Sequence, residues 1–499
     1  MTTAELYNSY KEQMRRIADI KYASALLQWD QETYLPSKAA SIRGQQIATL
    51  SELSHQQFTD EKLGNLLKEL SGTKGLSEDE QKNISLTNED YVKNKKYSSE
   101  FVRKMSEQVN KTFHAWIDAR KQDSFLVFEK DLAALIELKK QETDILGYEK
   151  HPYNALLNEF ERGCTVELLD KTFSGLLPSL KELLDKITSK EQVDNSFLKQ
   201  NFSKQEQWNW GMHLINKLNF DFAAGRQDIS EHPFTINFAS TDVRITTRVD
   251  ENNFSNMTWS CIHETGHALY EQGLPEEHYG LPLGEAASLS IHESQSRLWE
   301  NNVGRSLSFW RYYLPELQQY FPKQLGNVSL HSFYRGINRV EPSLIRTEAD
   351  ELTYHFHVFI RYELEKKLIE GSLHTKDIPA FWNEHYKKYL GVSPESDKTG
   401  CLQDIHWSHG SFGYFPTYSL GSFYAAQFFS FAKKNIAGID DQLEHGKTQA
   451  LLTWLRENIH RYGRKYTSEE LCTKITGKPL DIKEFLDYLL QKYAKIYIL

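Results

Sequence analysis

The chain is 499 residues long, with 39% hydrophobic and 13% aromatic residues and a formal net charge of −9. That is enough apolar material for a sizeable core and too much for a disordered chain. The acidic balance argues against nucleic acid and against an anionic membrane surface as partners. Cys164, Cys261, Cys401 and Cys472 lie far apart with no C-x-x-C pair, so neither a disulfide framework nor a thiolate metal site is expected.

The opening residues Met1 to Glu5 lack a basic region followed by an apolar stretch, so no secretory leader is expected and a cytoplasmic location is the default. Residues 1–230 place apolar residues among charged ones at three- and four-residue spacing, as at Phe125, Phe128, Leu132, Leu135 and Leu138. This predicts helices almost throughout. Pro36 and the stretch from Gly72 to Gly75 mark breaks between them. The long polar stretch from Glu78 to Asp123 reads as a solvated helix pair. No internal repeat and no low-complexity linker is visible, and nothing marks a domain boundary.

A strand signal follows. Residues His232 to Phe238 alternate apolar and polar, as do the first five of Asp242 to Arg248. Ala239, Ser240 and Thr241 can turn between them, which predicts a two-stranded ribbon packed on helices.

Next comes His263-Glu264-Thr265-Gly266-His267, an H-E-x-x-H turn. Residues four apart share one helix face, so both imidazoles can reach one ion. Glu264 stands beside that face, where it can hold a water at the metal and act as general base. Asn253 or Ser255 can cap this helix, and Gly273 followed by Pro275 can stop it. A catalytic zinc takes three protein ligands and keeps one position for water. A second helix, about Glu285 to Asn302, offers Glu285, His292, Glu293 and Glu300 as the third; spacing alone does not choose. A surface salt bridge to Arg297 is the alternative role for Glu293. His355 and His357 alternate in a helical stretch and read as packing residues. The aromatic run Phe423 to Phe431, broken by Gln427 and Ser430, reads as core helix, and no run of about 18 apolar residues occurs.

Six short motifs stand in order: His232-Pro233-Phe234; Asp242-x-Arg244-x-Thr246; the H-E-x-x-H turn; His292-Glu293-Ser294-Gln295; Ile345-Arg346-x-x-Ala349-Asp350; and Gly400-x-x-Gln403-Asp404-x-His406-Trp407. Through them the chain closely resembles the thermostable carboxypeptidase Taq family of metallocarboxypeptidases, over essentially its whole length. The resemblance implies His263, His267 and Glu293 as zinc ligands, with Glu264 as base. Cobalt can substitute in such a site. It also implies a mainly α fold, similar to the helical zincins neurolysin and angiotensin-converting enzyme, with a deep substrate groove and a small β-ribbon beside the active site. One peptidase domain would span 1–499, residues 1–230 forming a wall or lid and about 231–420 carrying the catalytic motifs. Family members look like homodimers acting on peptide C-termini with broad specificity.

A carboxypeptidase must grip a free carboxylate, and the planar fork of arginine suits this. Arg346 and Arg244 are the candidates within motifs; each has an alternative partner, Asp350 and Asp242 respectively. His232 is a further candidate for substrate contact. Hydrolysis also needs a donor to the oxyanion. The segment His406 to Tyr418 is rich in donors, with His406 first and Tyr414 or Tyr418 supplying a phenol; Asp404 is placed to orient a histidine. The nearest alternative activity is a zinc oligoendopeptidase on the same scaffold.

Overall fold

A capping box opens the first helix in the computed structural model, which describes residues 2–499. The Thr2 side chain accepts the Glu5 N–H while the Glu5 carboxylate returns to the Thr2 N–H, and α1 runs from Thr3 to Thr33. The chain is mainly helical, with one small sheet. The polar stretch from Glu78 is indeed two helices, Glu78–Lys95 and Ser99–Gln122.

The expected ribbon is part of a three-stranded sheet. Its strands are β1 (Gly225–Ile229), β2 (Thr235–Ala239) and β3 (Asp242–Thr247), in the order β1-β3-β2. β2 pairs antiparallel to β3 as predicted; Ala239 belongs to the strand and not the turn, and a bulge follows Asn237. β1 joins β3 in parallel and interrupts the helical run expected up to residue 230. Its sequence, Gly-Arg-Gln-Asp-Ile, shows no alternating apolar pattern, so nothing local marks it as a strand. A Cβ on Gly225 would lie 2.1 Å from the Val243 carbonyl oxygen, so this close approach of backbones requires glycine.

The two faces of the sheet differ. Val243 and Ile245 are fully buried and pack with Met257, Cys261 and Ala268 of the signature helix. Arg244 alternates to the other face, where its guanidinium sits 4.4 Å from the ring centre of Trp29 on α1.

The signature helix is α2 (Phe254–Glu271). Of the two candidate caps, Asn253 is the one used: its side chain accepts the Ser255 N–H at 3.0 Å. Such a cap stabilises a helix by about 1 kcal/mol. The helix ends just before Gly273, and Pro275 follows. The next helix is α3 (Leu289–Arg297), capped by Ser288 and continued by wider π-helical turns through Val303. It starts later than expected because Glu285 and Ser288 have extended backbone and Ser288 caps the helix. A Cβ on Gly266 would lie 2.6 Å from the Ser296 Cα and 2.8 Å from the Gln295 carbonyl oxygen. The glycine inside the signature therefore lets α2 and α3 meet backbone to backbone.

The chain forms two compact units, each assembled from three separated stretches. One comprises residues up to Lys95, Asp194–Ile337 and Phe428–Pro479; it contains α1, the sheet, α2 and α3. The other comprises Lys96–Val193, Asn338–Gln427 and Leu480–Leu499. Residues 1–230 are thus shared between both. The second unit is built around α4 (Tyr354–Glu370), which is buried nearly all round and packs its His355 ring against Phe423 and Phe485. Phe423 belongs to α5 (Pro416–Asn435), the expected aromatic core helix. His355 and His357 pack inside, as expected, bonded to Ser419 and Tyr386. All four cysteines are buried, and no helix among the described residues is long and apolar enough to cross a membrane.

Candidate active site

The four-residue spacing in α2 brings the His263 and His267 rings to 4.9 Å between centres. Their Nε2 atoms face the same carboxylate oxygen, Glu293 Oε2 on α3, at 3.8 and 3.4 Å. Donor atoms of these three residues all lie within 4.8 Å of one another. A tetrahedral zinc with bonds of about 2.0–2.2 Å sets neighbouring ligand atoms about 3.3–3.6 Å apart. The two nitrogens and one oxygen therefore fit a divalent zinc-type ion by chemistry and by spacing.

Charge in the cluster suits a cation. Burial works to raise the Glu293 carboxyl, but Arg297 and the two histidines outweigh it and hold the group well below the ordinary carboxylate range. Burial, assisted by His292, pushes His267 down to about 3, which keeps it in the neutral, ligating form. Burial also opposes the charge on His263, but Glu293 and Glu300 overcome it and raise that group. The salt bridge considered as an alternative for Glu293 is present as well: Arg297 Nε donates to Oε1 at 2.6 Å, leaving Oε2 toward the histidines. The two Glu293 oxygens thus point to different partners.

The outward nitrogens of both histidines are also held. His263 Nδ1 meets Glu300 Oε2 at 2.8 Å, and Arg297 and Arg305 flank that carboxylate. His267 Nδ1 meets His292 Nδ1 at 2.6 Å, and His292 Nε2 meets Glu271 Oε1 at 2.8 Å. Glu271 Oε2 in turn accepts from the Asn237 amide of β2 at 2.6 Å. Such partners fix the tautomer and orientation of a ligating imidazole. Of the four third-ligand candidates, Glu293 joins the donor set, while His292 and Glu300 hold the rings of the other two donors. Glu285 is elsewhere, 3.2 Å from Lys21 and 3.5 Å from Arg464.

Glu264 is buried. Its Oε2 accepts from Thr235 Oγ1 of β2 at 2.6 Å. Burial lifts its carboxyl above the ordinary range, against the lowering effect of His263 and Thr235. A carboxylate tuned upward is suited to taking and returning a proton near neutral pH. Thr235 and Asn237 were not singled out in the sequence; their alternation along β2, ahead of the signature, was the available signal.

Two further candidates lie in this unit. His232 is exposed before β2, and its carbonyl accepts from Ser230. Arg244 holds Asp242 through two bonds of 2.9 Å, the pairing considered in the sequence.

The second unit gathers the rest. Arg346 lies in a short turn and not on a helix with Asp350; Asp350 instead accepts the Leu352 and Thr353 N–H groups at the start of α4. Arg346 is only 5% exposed. Its Nε and Nη2 donate to Asp404 Oδ1 at 3.0 and 2.8 Å, and its Nη1 donates to the Tyr354 hydroxyl at 3.0 Å. Asp404 does not orient a histidine by hydrogen bonding, since His406 Nδ1 is 4.0 Å away. Its second oxygen binds the buried Arg361 at 2.7 Å, so it neutralises two guanidinium groups. His406 Nε2 meets the Tyr418 hydroxyl at 3.1 Å, and the Tyr414 ring lies 5.3 Å from the imidazole. Burial, reinforced by Arg346, lowers His406 to about 3, so the ring is neutral.

The family model described as carboxypeptidase Taq (M32) metallopeptidase matches residues 9–493. Carboxypeptidase 1 of Bacillus subtilis is 38% identical over 488 residues, covering 97% of each chain. Thermostable carboxypeptidase 1 of Thermus thermophilus is 38% identical over 510 residues and 100% of each chain. The crystal structure of an M32 carboxypeptidase from Deinococcus radiodurans superposes with a TM-score of 0.97 at 37% identity, covering 99% of this chain and 100% of that one. The chain belongs to the carboxypeptidase Taq (M32) family of metallopeptidases and is a peptide hydrolase.

Proposed function

We propose that this protein is a zinc carboxypeptidase that releases single amino acids from the free C-terminus of peptides, with broad specificity. The observation that carries this reading is the convergence of His263, His267 and Glu293 one residue away from a buried, upward-shifted Glu264. A bound zinc supplies Lewis-acid polarisation and makes a water nucleophilic near neutral pH; cobalt can substitute. Glu264 takes the proton of the attacking water and passes it to the leaving amine. Thr235 aims the Glu264 carboxylate by its short hydrogen bond. His406 and Tyr418, bonded to each other, are the proposed donors to the oxyanion, with Tyr414 against the imidazole.

The carboxylate grip is assigned to Arg346 or Arg244, with His232 as a further substrate contact. Both arginines already hold an aspartate, so a substrate carboxylate must use their remaining N–H groups. The whole chain acts as one peptidase domain in this reading. In the same reading it works on peptides as a cytoplasmic homodimer, the dimer being what the family resemblance implies.

Matched peptides with free and amidated C-termini test the reading. Incubation with the zinc-loaded protein should give a ladder of single-residue losses from the free peptides only, read by mass spectrometry. Internal cleavage of both forms would make it an oligoendopeptidase. Arg346→Ala and Arg244→Ala then separate the two grips: the true one should penalise free-carboxylate substrates by about a hundredfold, since losing a charge-assisted bidentate pair costs about 3 kcal/mol.

A further inference from the structure

We propose that a cavity at the far end of β2 receives a bulky apolar side chain of the substrate, about three or four residues before the scissile bond. This rests on the carboxypeptidase reading and extends it to the N-terminal side of the peptide.

The cavity holds about 370 Å³ and lies wholly within the first unit. Tyr22 of α1, Ala239 and Ser240 at the end of β2, and Leu274, Pro275 and Tyr279 beyond α2 line it. The Tyr22 and Tyr279 rings are 5.7 Å apart, and the Tyr279 hydroxyl is already committed to Asp19 at 2.9 Å. The lining thus offers rings and aliphatic carbon beside the polar groups of Asn237, Ser240 and Thr241. Arg15 and Glu276 also contribute, but their opposite charges give no preference for a charged side chain.

Two rulers place the cavity relative to the chemistry. Along β2, Thr235 bonds Glu264, and Ala239 is four residues further on, about 13 Å at ~3.3 Å per residue. Along α2, Glu271 is seven residues past Glu264 and bonds Asn237, about 10 Å at ~1.5 Å per residue. Strand and helix therefore run the same way from the catalytic turn, and the cavity begins at Asn237 and continues past Ala239.

β2 is the outer strand of the sheet. The Phe234 carbonyl accepts the Thr246 N–H, so residues 234 and 236 turn their main-chain groups toward β3. Thr235 and Asn237 turn theirs to the outer edge, where an extended peptide can add as a further strand. A carboxypeptidase has only one residue past the scissile bond, spanning about 3.5 Å. That residue does not span the roughly 7–13 Å that separate Thr235 from Asn237 and Ala239 in the cavity wall, so the upstream chain must. The substrate then runs antiparallel to β2, the arrangement that pairs most favourably.

The test uses zinc-loaded protein and peptides with free C-termini, from a blocked dipeptide to an octapeptide, with Phe, Gly or Asp at the fourth position before the scissile bond. The expected result is a step in kcat/KM of about tenfold once that position exists, with Phe favoured, because its side chain leaves water for the cavity. Ser240→Trp, which fills the cavity, should bring the ratio of long to short substrate back toward one. Tyr22→Ala should lower the same ratio. A flat length profile with single-residue release intact would overturn the subsite alone, as would equal rates for Phe and Asp. No release from any peptide would overturn the peptidase reading and the subsite with it.

Discussion

Thr235 Oγ1 donates to Glu264 Oε2 at 2.6 Å, a bond that joins the outer strand of the sheet to the catalytic turn of the signature helix. Its hydroxyl fixes which way the buried carboxylate faces. Thr235→Val keeps the shape and removes the donor. We expect kcat to fall about tenfold, the worth of one hydrogen bond to a charged group, with zinc content unchanged. Glu264→Gln should keep the metal and lose about 10³-fold or more in kcat. A Glu264→Gln variant within tenfold of wild type would remove the general-base assignment.

The two proposed ligand histidines are held from behind, and this should show in metal affinity before it shows anywhere else. Glu300→Gln weakens the hold on His263, and His292→Leu cuts the link from His267 to Glu271. Each should loosen zinc about 10–100-fold in chelator competition, the usual effect of losing such a partner. An unchanged zinc affinity in both variants would mean that these contacts do not orient the rings.

Gly266 is the point where α2 and α3 touch, with main-chain atoms of Gln295 and Ser296 where a Cβ would stand. Gly266→Ala must push the helices apart, at a cost of about 1–3 kcal/mol for overpacking. Because Glu293 rides on α3, zinc affinity and the melting temperature should fall together. A variant that melts and binds zinc like wild type would show that the interface yields freely.

The signature, the helical class and the β2–β3 pairing were legible because each is written in local periodicity or spacing. β1 was not, because Gly225 to Ile229 carries no alternating apolar pattern and is a strand only through its neighbour β3. The third-ligand choice was open for a similar reason. Glu285, His292, Glu293 and Glu300 are alike on paper, and they are sorted by how α3 crosses α2 at Gly266. Arg346 shows the same limit: Asp350 is near in sequence, but the partner is Asp404, distant in the chain. Long-range charge pairing leaves no trace in a local pattern.

Asp404 gives the second unit a defined response to acid. Burial alone would raise its carboxyl, but Arg346 and Arg361 prevail and hold it well below its ordinary value of 3.8. A carboxylate lowered on folding stabilises the protein above the unfolded value, and that contribution is lost as pH falls toward the folded one. Asp404→Asn should flatten this part of the acid limb of a stability-against-pH curve. It should also cost about 3–5 kcal/mol at neutral pH by leaving buried guanidinium charge uncompensated. An acid limb identical to wild type would show that the group does not contribute.

The proposed chemistry depends most on one ion held by three side chains from two adjacent helices. Anomalous diffraction at the zinc edge, from crystals of the zinc-loaded protein, reads this directly. A single strong peak bonded to His263 Nε2, His267 Nε2 and Glu293 Oε2 at about 2.0–2.2 Å is the expected result. A zinc peak bound elsewhere, or no peak among these three side chains, would contradict it.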